Sequence, residues 1–216
     1  MKRTTLAAAL AATLTATLCL AGPAHAEWYA GATAGQSKSK FNADNLAGQF
    51  LDFGYTTTQM QTDTRDNAYR VFGGYQLNKY LAFEGGYADL GEFGVRSTLA
   101  PSGTFDKRFE VKGYDVSAVG TWPVVDKLTL FARAGVFRSE RKTRYAASGA
   151  VELLPSVIDS KQTQNKATYG AGLMFDLTNQ ITLRAEWTQH RGFSDELLSG
   201  LRNIDAYGVG VVYRFR

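Results

Sequence analysis

One pattern constrains this chain more than any other. Eight stretches alternate between an apolar face and a mixed face with a period of two, and that period belongs to β-strands. In "AYRVFGGYQLNKYLAFEGGYADLGEF", Tyr69, Val71, Gly73, Tyr75 and Leu77 lie on one face and Arg70, Phe72, Gly74 and Gln76 on the other. After Asn78-Lys79 the pattern restarts, with Leu81, Phe83, Gly85 and Tyr87 opposite Ala82, Glu84, Gly86 and Ala88. It recurs from Trp28, Tyr114, Leu128, Tyr169, Ile181 and Tyr207. The connections alternate as well. Short turns fall at 78–79, 123–127 and 178–180, and long polar segments at roughly 36–66, 91–109, 139–166 and 191–204. Loops that long count against a compact soluble domain. They are the rule in a transmembrane barrel, with its short periplasmic turns and long external loops. The expectation is all-β: an eight-stranded antiparallel up-and-down transmembrane β-barrel with both termini on the periplasmic side.

The two faces then find their solvents. The clean face is apolar and carries aromatic residues near both ends: Tyr69, Tyr87, Tyr114, Tyr169, Trp187 and Tyr207 toward the loops, and Trp28, Tyr75, Trp122, Phe175, Tyr213 and Phe215 toward the turns. At ~3.3 Å per residue and ~45° tilt, Tyr207 to Phe215 spans about 19 Å. With the rings added this approaches the ~25 Å apolar band and its aromatic girdles. The apolar face therefore meets lipid and the mixed face points inward. A soluble barrel of lipocalin type would need the reverse, with a densely charged outer face, and the mixed faces hold at most two charges each.

The first 26 residues read as a cleaved signal peptide. Lys2-Arg3 precede an apolar run from Leu6 to Leu20, and Ala24-His25-Ala26 forms a small-x-small site before Glu27. The barrel domain is then 27–216. The single cysteine, Cys19, lies in the leader, which excludes disulfides and thiolate chemistry beyond it. Without Lys2 and Arg3, 22 of the 24 bases remain against 20 acids. A net charge of +2 is no footprint for nucleic acid. One histidine, His190, survives cleavage, so no metal cluster or other cofactor site is expected.

Six stretches carry a resemblance: "EWYAGATAG", "VFGGYQLNKYLAFEGGYADLG", "TWPVVDKLTLFARAG", "YGAGLMFDLTNQ", "ITLRAEWTQ" and "YGVGVVYRF". Together they resemble the OmpA-like transmembrane domain of small outer-membrane β-barrels. The resemblance implies a bacterial outer-membrane protein with a packed polar interior, four surface loops and no enzymatic activity. It also implies, as the sequence ends with the barrel, that the periplasmic domain of larger members is lacking.

Candidate functional residues follow. The mixed faces place Arg70, Arg133, Arg184 and Arg214 inside against Glu84, Asp115, Asp176 and Glu186, four against four, as buried charges require. By resemblance Arg184 and Glu84 occupy a family ion pair, whereas Val119 and Met174 stand where a second pair would be. A narrow ion-conducting pore is the alternative reading of this cluster. Arg138, Arg141, Lys142 and Arg144 in "RSERKTRY" form a basic run above the outer girdle, suited to lipopolysaccharide phosphates or simply to water. His190, Ser194 and Asp195 or Glu196 contain the residue types of a lipid A deacylase, the third reading. Their spacing puts His190 inward and Ser194 in a loop, which fits a rim histidine better than a triad. By resemblance, Tyr213 and Phe215 end the strand that the barrel assembly machinery reads, with Arg216 as one residue beyond the usual aromatic end. Outer-membrane lipid and lipopolysaccharide are the other expected partners, and the barrel is expected to be a monomer.

Overall fold

The structure, a computed structural model, describes residues 27–41, 47–48, 51–52, 56–100, 103–149, 160–192 and 201–215. The leader read at 1–26 and the last residue, Arg216, lie outside them. Nine strands run through the chain: β1 (Glu27–Phe41), β2 (Thr56–Asp63), β3 (Arg65–Asn78), β4 (Leu81–Ala100), β5 (Gly103–Val125), β6 (Leu128–Gly149), β7 (Ser160–Asp176), β8 (Ile181–Arg191) and β9 (Leu201–Phe215). Eight of them close a ring, each antiparallel to its neighbours, in the order β1-β3-β4-β5-β6-β7-β8-β9 and back to β1. Trp28 pairs with Phe215 across the seam between the first and last strands. Closure pairs the backbone groups that an open sheet edge would expose to lipid.

The expected faces are realised. Val71, Phe83, Val116, Val136, Leu173, Val209 and Val211 are exposed on the outer wall. Aromatic contacts mark its two rims: Tyr87 lies 5.1 Å from Tyr114 at the loop end, and Trp28 lies 4.8 Å from Tyr75 at the turn end. Arg70, Glu84, Asp115, Arg133 and Arg184 are buried inside beside Phe72, Val119, Phe131 and Val212, and with the apolar face outward the lipocalin-type arrangement does not hold.

Two expectations about the loops are corrected. First, the loop expected at 36–66 contains a ninth strand, β2, which pairs with β4 from Gly94 to Ala100 above the ring. Second, most of 91–109 is strand, because β4 and β5 run on as a paired hairpin to Ala100 and from Gly103. β6 likewise continues to Gly149, and β7 begins at Ser160. The barrel wall thus stands well above the membrane on the β4–β7 side, while β8 ends at Arg191.

The cause lies in a bulge and a reversal of polarity. Pairing of β4 with β5 shifts register between Asp89 and Glu92. Gly91 sits there at φ 84°, in the left-handed region that glycine adopts without strain. Its N–H donates to Asp89 Oδ1 at 3.0 Å, and the Glu92 N–H donates to Asp66 Oδ2 at 2.6 Å. Before the bulge Ala82, Glu84, Ala88 and Leu90 face inward; after it Phe93, Val95, Ser97 and Leu99 do. Along β4 above the membrane the outer face meets water and the inner face is mostly apolar, the opposite of the arrangement in lipid.

Candidate functional site

Inside the barrel the charges assemble at one level. Arg70 (β3) donates from Nε and Nη2 to Asp115 (β5), both at 2.9 Å, and from Nη2 to Glu84 (β4) at 3.1 Å. Arg184 (β8) donates to both Glu84 oxygens, at 2.5 and 3.3 Å, and pairs with Glu186 at 2.9 Å. Glu186 stands 4.0 Å from Arg133 (β6), and Arg133 donates back to Asp115. The circuit Asp115–Arg70–Glu84–Arg184–Glu186–Arg133 therefore closes on itself with three charges of each sign. Alternating signs let every buried charge touch an opposite one on two sides, which is how such a group persists away from water. Neutral hydroxyls complete it: Tyr29 donates to Glu84 at 3.1 Å, Thr33 to Glu186 at 3.4 Å, and Arg133 donates to Ser117 at 2.9 Å.

The eight expected interior charges therefore divide unevenly. Six form the ring; Arg214 and Asp176 pair at 3.0 Å nearer the periplasmic mouth and are partly exposed. Arg184 and Glu84 do form the ion pair that the resemblance implied. Val119 and Met174 instead join an apolar layer with Tyr29, Phe72, Ala82, Phe131 and Val212 on the periplasmic side of the ring. Two of its rings fill space that glycines leave free. A methyl group on Gly74 would fall 2.2 Å from the Tyr29 ring, and one on Gly172 2.7 Å from the Phe131 ring. The Arg184 guanidinium lies 4.2 Å from the centre of Phe131 and 4.7 Å from that of Phe72, so the layer also holds the ring's central cation by cation–π contact.

A second apolar layer lies on the outer side: Ala88, Leu90, Phe93, Phe109, Val111, Phe137 and Ile204. Between it and the ring is a cavity of about 30 Å³ lined by Thr33, Arg70, Asp115, Arg133, Glu186, Thr188 and His190, among others. Arg70 Nη1, Arg133 Nε and Nη1, and His190 Nδ1 have no protein hydrogen-bond partner there. A space of that size and polarity suits one or two buried waters. His190 faces inward as expected and packs 4.6 Å from Phe137. Ser194, Asp195 and Glu196 lie outside the described residues.

The basic run on β6 is split by the strand period. Arg141 was expected with the others above the girdle, but it points into the barrel, is buried, and donates to Gln162 at 3.1 Å. Arg138, Lys142 and Arg144 face outward. At the chain end, Tyr213 and Phe215 are exposed on the outer wall with ring centres 5.2 Å apart. Tyr29, Thr33 and Ser117 were the interior residues missed by counting charges alone; each already lay on a mixed face.

The model of the OmpA-like transmembrane domain matches residues 23–216. The chain belongs to the OmpA-like transmembrane domain family. Outer membrane protein A of Escherichia fergusonii is 27% identical over 218 residues, covering 100% of this chain and 56% of that protein. Outer membrane protein A of Klebsiella pneumoniae is 29% identical over 204 residues, covering 90% of this chain and 53% of that protein. The chain thus spans a little over half the length of these curated relatives. Among solved structures, Neisserial surface protein A superposes with a TM-score of 0.54 at 15% identity, covering 87% of this chain and 97% of that one. OprG from Pseudomonas aeruginosa does so with a TM-score of 0.50 at 9% identity, covering 89% and 98%. Both are likenesses of fold. Membership of the OmpA-like family places the chain in the bacterial outer membrane, where the exposed apolar wall meets lipid.

Proposed function

We propose that this barrel is a structural and interaction protein of the outer membrane whose interior does not conduct ions. The observation that carries the reading is the neutral six-charge ring held between two apolar layers. An ion crossing the barrel would have to part Phe72, Val119, Phe131 and Met174 as well as the ring, and the one hydroxyl of that layer, on Tyr29, is already engaged by Glu84. An ion in such surroundings loses its hydration without replacement. In this reading the partners are membrane lipid and lipopolysaccharide on the outer wall, and the barrel assembly machinery at the last strand with Tyr213 and Phe215. The barrel acts as a monomer and catalyses no reaction. The leader at 1–26 is removed on export.

The test is single-channel recording of the refolded barrel in planar bilayers. Silent membranes containing protein that is folded by its electrophoretic mobility are the expected result. Discrete, reproducible openings would overturn the reading in favour of the narrow pore. A lipid A mass profile unchanged by expression of the protein is expected in parallel; a new lipid A species dependent on His190 would reinstate the enzyme.

A further inference from the structure

The outer faces of β5, β6 and β7 carry, just above the lipid band, a set of charges arranged in cross-strand rows. Val116–Val136–Ala167 is an apolar row still within the band. The next row is Tyr114–Arg138–Asn165, then Lys112–Glu140–Thr163, then Glu110–Lys142–Lys161, and above it Arg108 opposite Arg144. Like charges directly opposite one another destabilise a sheet, yet Lys142 faces Lys161 and Arg144 faces Arg108.

The nearby carboxylates relieve only one member of each pair, Lys161 and Arg108. Glu140 pairs with Lys161 at 2.8 Å, Glu110 with Lys112 at 2.6 Å, Glu92 with Arg108 at 3.2 Å, and Asp106 with Arg96 at 2.7 Å. Among the described residues, Arg138, Lys142 and Arg144 form no ion pair. The Lys112 ammonium, hydrogen-bonded to Glu110, holds that carboxyl below the usual range, and the fields of Lys142 and Arg144 act in the same direction.

Height completes the picture. Arg138 shares a row with Tyr114 and so sits at the girdle. At ~3.3 Å per residue and ~45° tilt, Lys142 stands ~9 Å and Arg144 ~14 Å farther out.

We infer that Arg138, Lys142 and Arg144 form a binding strip for the phosphates of lipopolysaccharide in the outer leaflet, with Arg138 meeting phosphate at the headgroup level and the other two meeting phosphates on the inner sugars. The phosphates supply counter-charge to Lys142 and Arg144, the member of each like-charged cross-strand pair that no carboxylate pairs among the described residues. Arg138 also gains a planar fork that can bind phosphate through two parallel hydrogen bonds. The strip refines the basic run seen in the sequence, since Arg141 is turned inward, and it is independent of whether the interior conducts.

The experiment titrates the refolded barrel in detergent micelles, with chelator present, using diphosphorylated lipid A, its dephosphorylated form and inorganic phosphate. Replacing Arg138, Lys142 and Arg144 together by Ser should weaken binding of the diphosphorylated glycolipid roughly a hundredfold, at about fivefold per surface cation. Binding of the dephosphorylated form should not change. Arg96→Ser, at the same rim but already ion-paired, should bind as wild type. Heat-modifiable migration establishes that each variant is folded. Equal affinity of wild type for the two glycolipids would overturn the strip, as would an unaffected triple variant. Full displacement by inorganic phosphate would make it a site for a free anion and would overturn the lipid assignment.

Discussion

Replacing Glu84 by Gln tests whether the ring acts as one unit. The amide keeps the shape of the side chain but removes its charge. Arg70 keeps Asp115 and Arg184 keeps Glu186, so no cation is stranded outright. The enclosed group nevertheless passes from three charges of each sign to an excess of one positive charge, between two apolar layers. Breaking a buried pair in this way costs ~3–5 kcal/mol. Arg184→Met gives the mirror case. Glu84 keeps only Arg70, and Glu186 is left with Arg133 at 4.0 Å. A loss of ~3–5 kcal/mol is expected again.

The double variant restores neutrality, with Asp115, Arg70, Arg133 and Glu186 remaining, and places a thioether against Phe72 and Phe131. It should therefore be less destabilised than either single variant, which requires a coupling of at least about 3 kcal/mol. Urea titration of the barrel refolded in detergent measures all four corners of the cycle. The chain's three tryptophans, Trp28, Trp122 and Trp187, all lie in barrel strands and report the transition. If the two losses add within about 0.5 kcal/mol, Glu84 and Arg184 are energetically independent. The ring would then be a set of neighbours and not a unit.

Three other outcomes are expected. Unboiled protein should migrate apart from boiled protein in SDS, because a closed ring has no edge from which to unravel; identical mobility after refolding would count against closure. Gly172→Ala should destabilise by about 2 kcal/mol or more, because the added methyl group would lie 2.1 Å from the Ala185 carbonyl oxygen as well as against Phe131. Gly73→Ala, on the outer wall with its nearest atom at 3.8 Å, should be nearly neutral, and equal midpoints for the two would refute the packing. Phe215→Asp should abolish the yield of surface-exposed, heat-modifiable protein, whereas deletion of Arg216 should leave it intact; the converse result would show that the terminal aromatic is not what assembly reads.

The ring of eight strands was legible because lipid imposes a strict rule: every second side chain must be apolar. The rule holds only between the girdles. Above them, "EFGVRSTLA" still alternates, but Phe93, Val95 and Leu99 are now inside and Glu92, Gly94 and Arg96 outside. With the polarity reversed and the phase shifted by the bulge at Gly91, the continuation of β4 reads as a polar loop. β2 was harder still. "TTTQMQTD" has no apolar face because neither of its sides meets lipid or a core. In the interior, period two delivered the roster of charges but not their partners. That Arg70 reaches Asp115 across 45 residues depends on strand stagger around the ring, which no single strand encodes. Arg141 shows the same rule from the other side, since four bases close in sequence divide three to one between the faces.

The ring also has a place in time. Its members come from β3, β4, β5, β6 and β8, and the contact between Arg184 and Glu84 joins residues 100 apart in sequence. Four strands can pair in succession and bring Arg70, Glu84, Asp115 and Arg133 together, but that partial set holds two charges of each sign and is open on one side. Only when β8 arrives do Arg184 and Glu186 close the circuit, just before β9 meets β1. Interactions completed this late contribute little to the rate at which the barrel forms and much to the rate at which it comes apart. The ring thus works as a latch: a barrel lacking it should still assemble, yet open sooner, and Arg184→Met should accelerate unfolding while leaving the refolding rate almost unchanged.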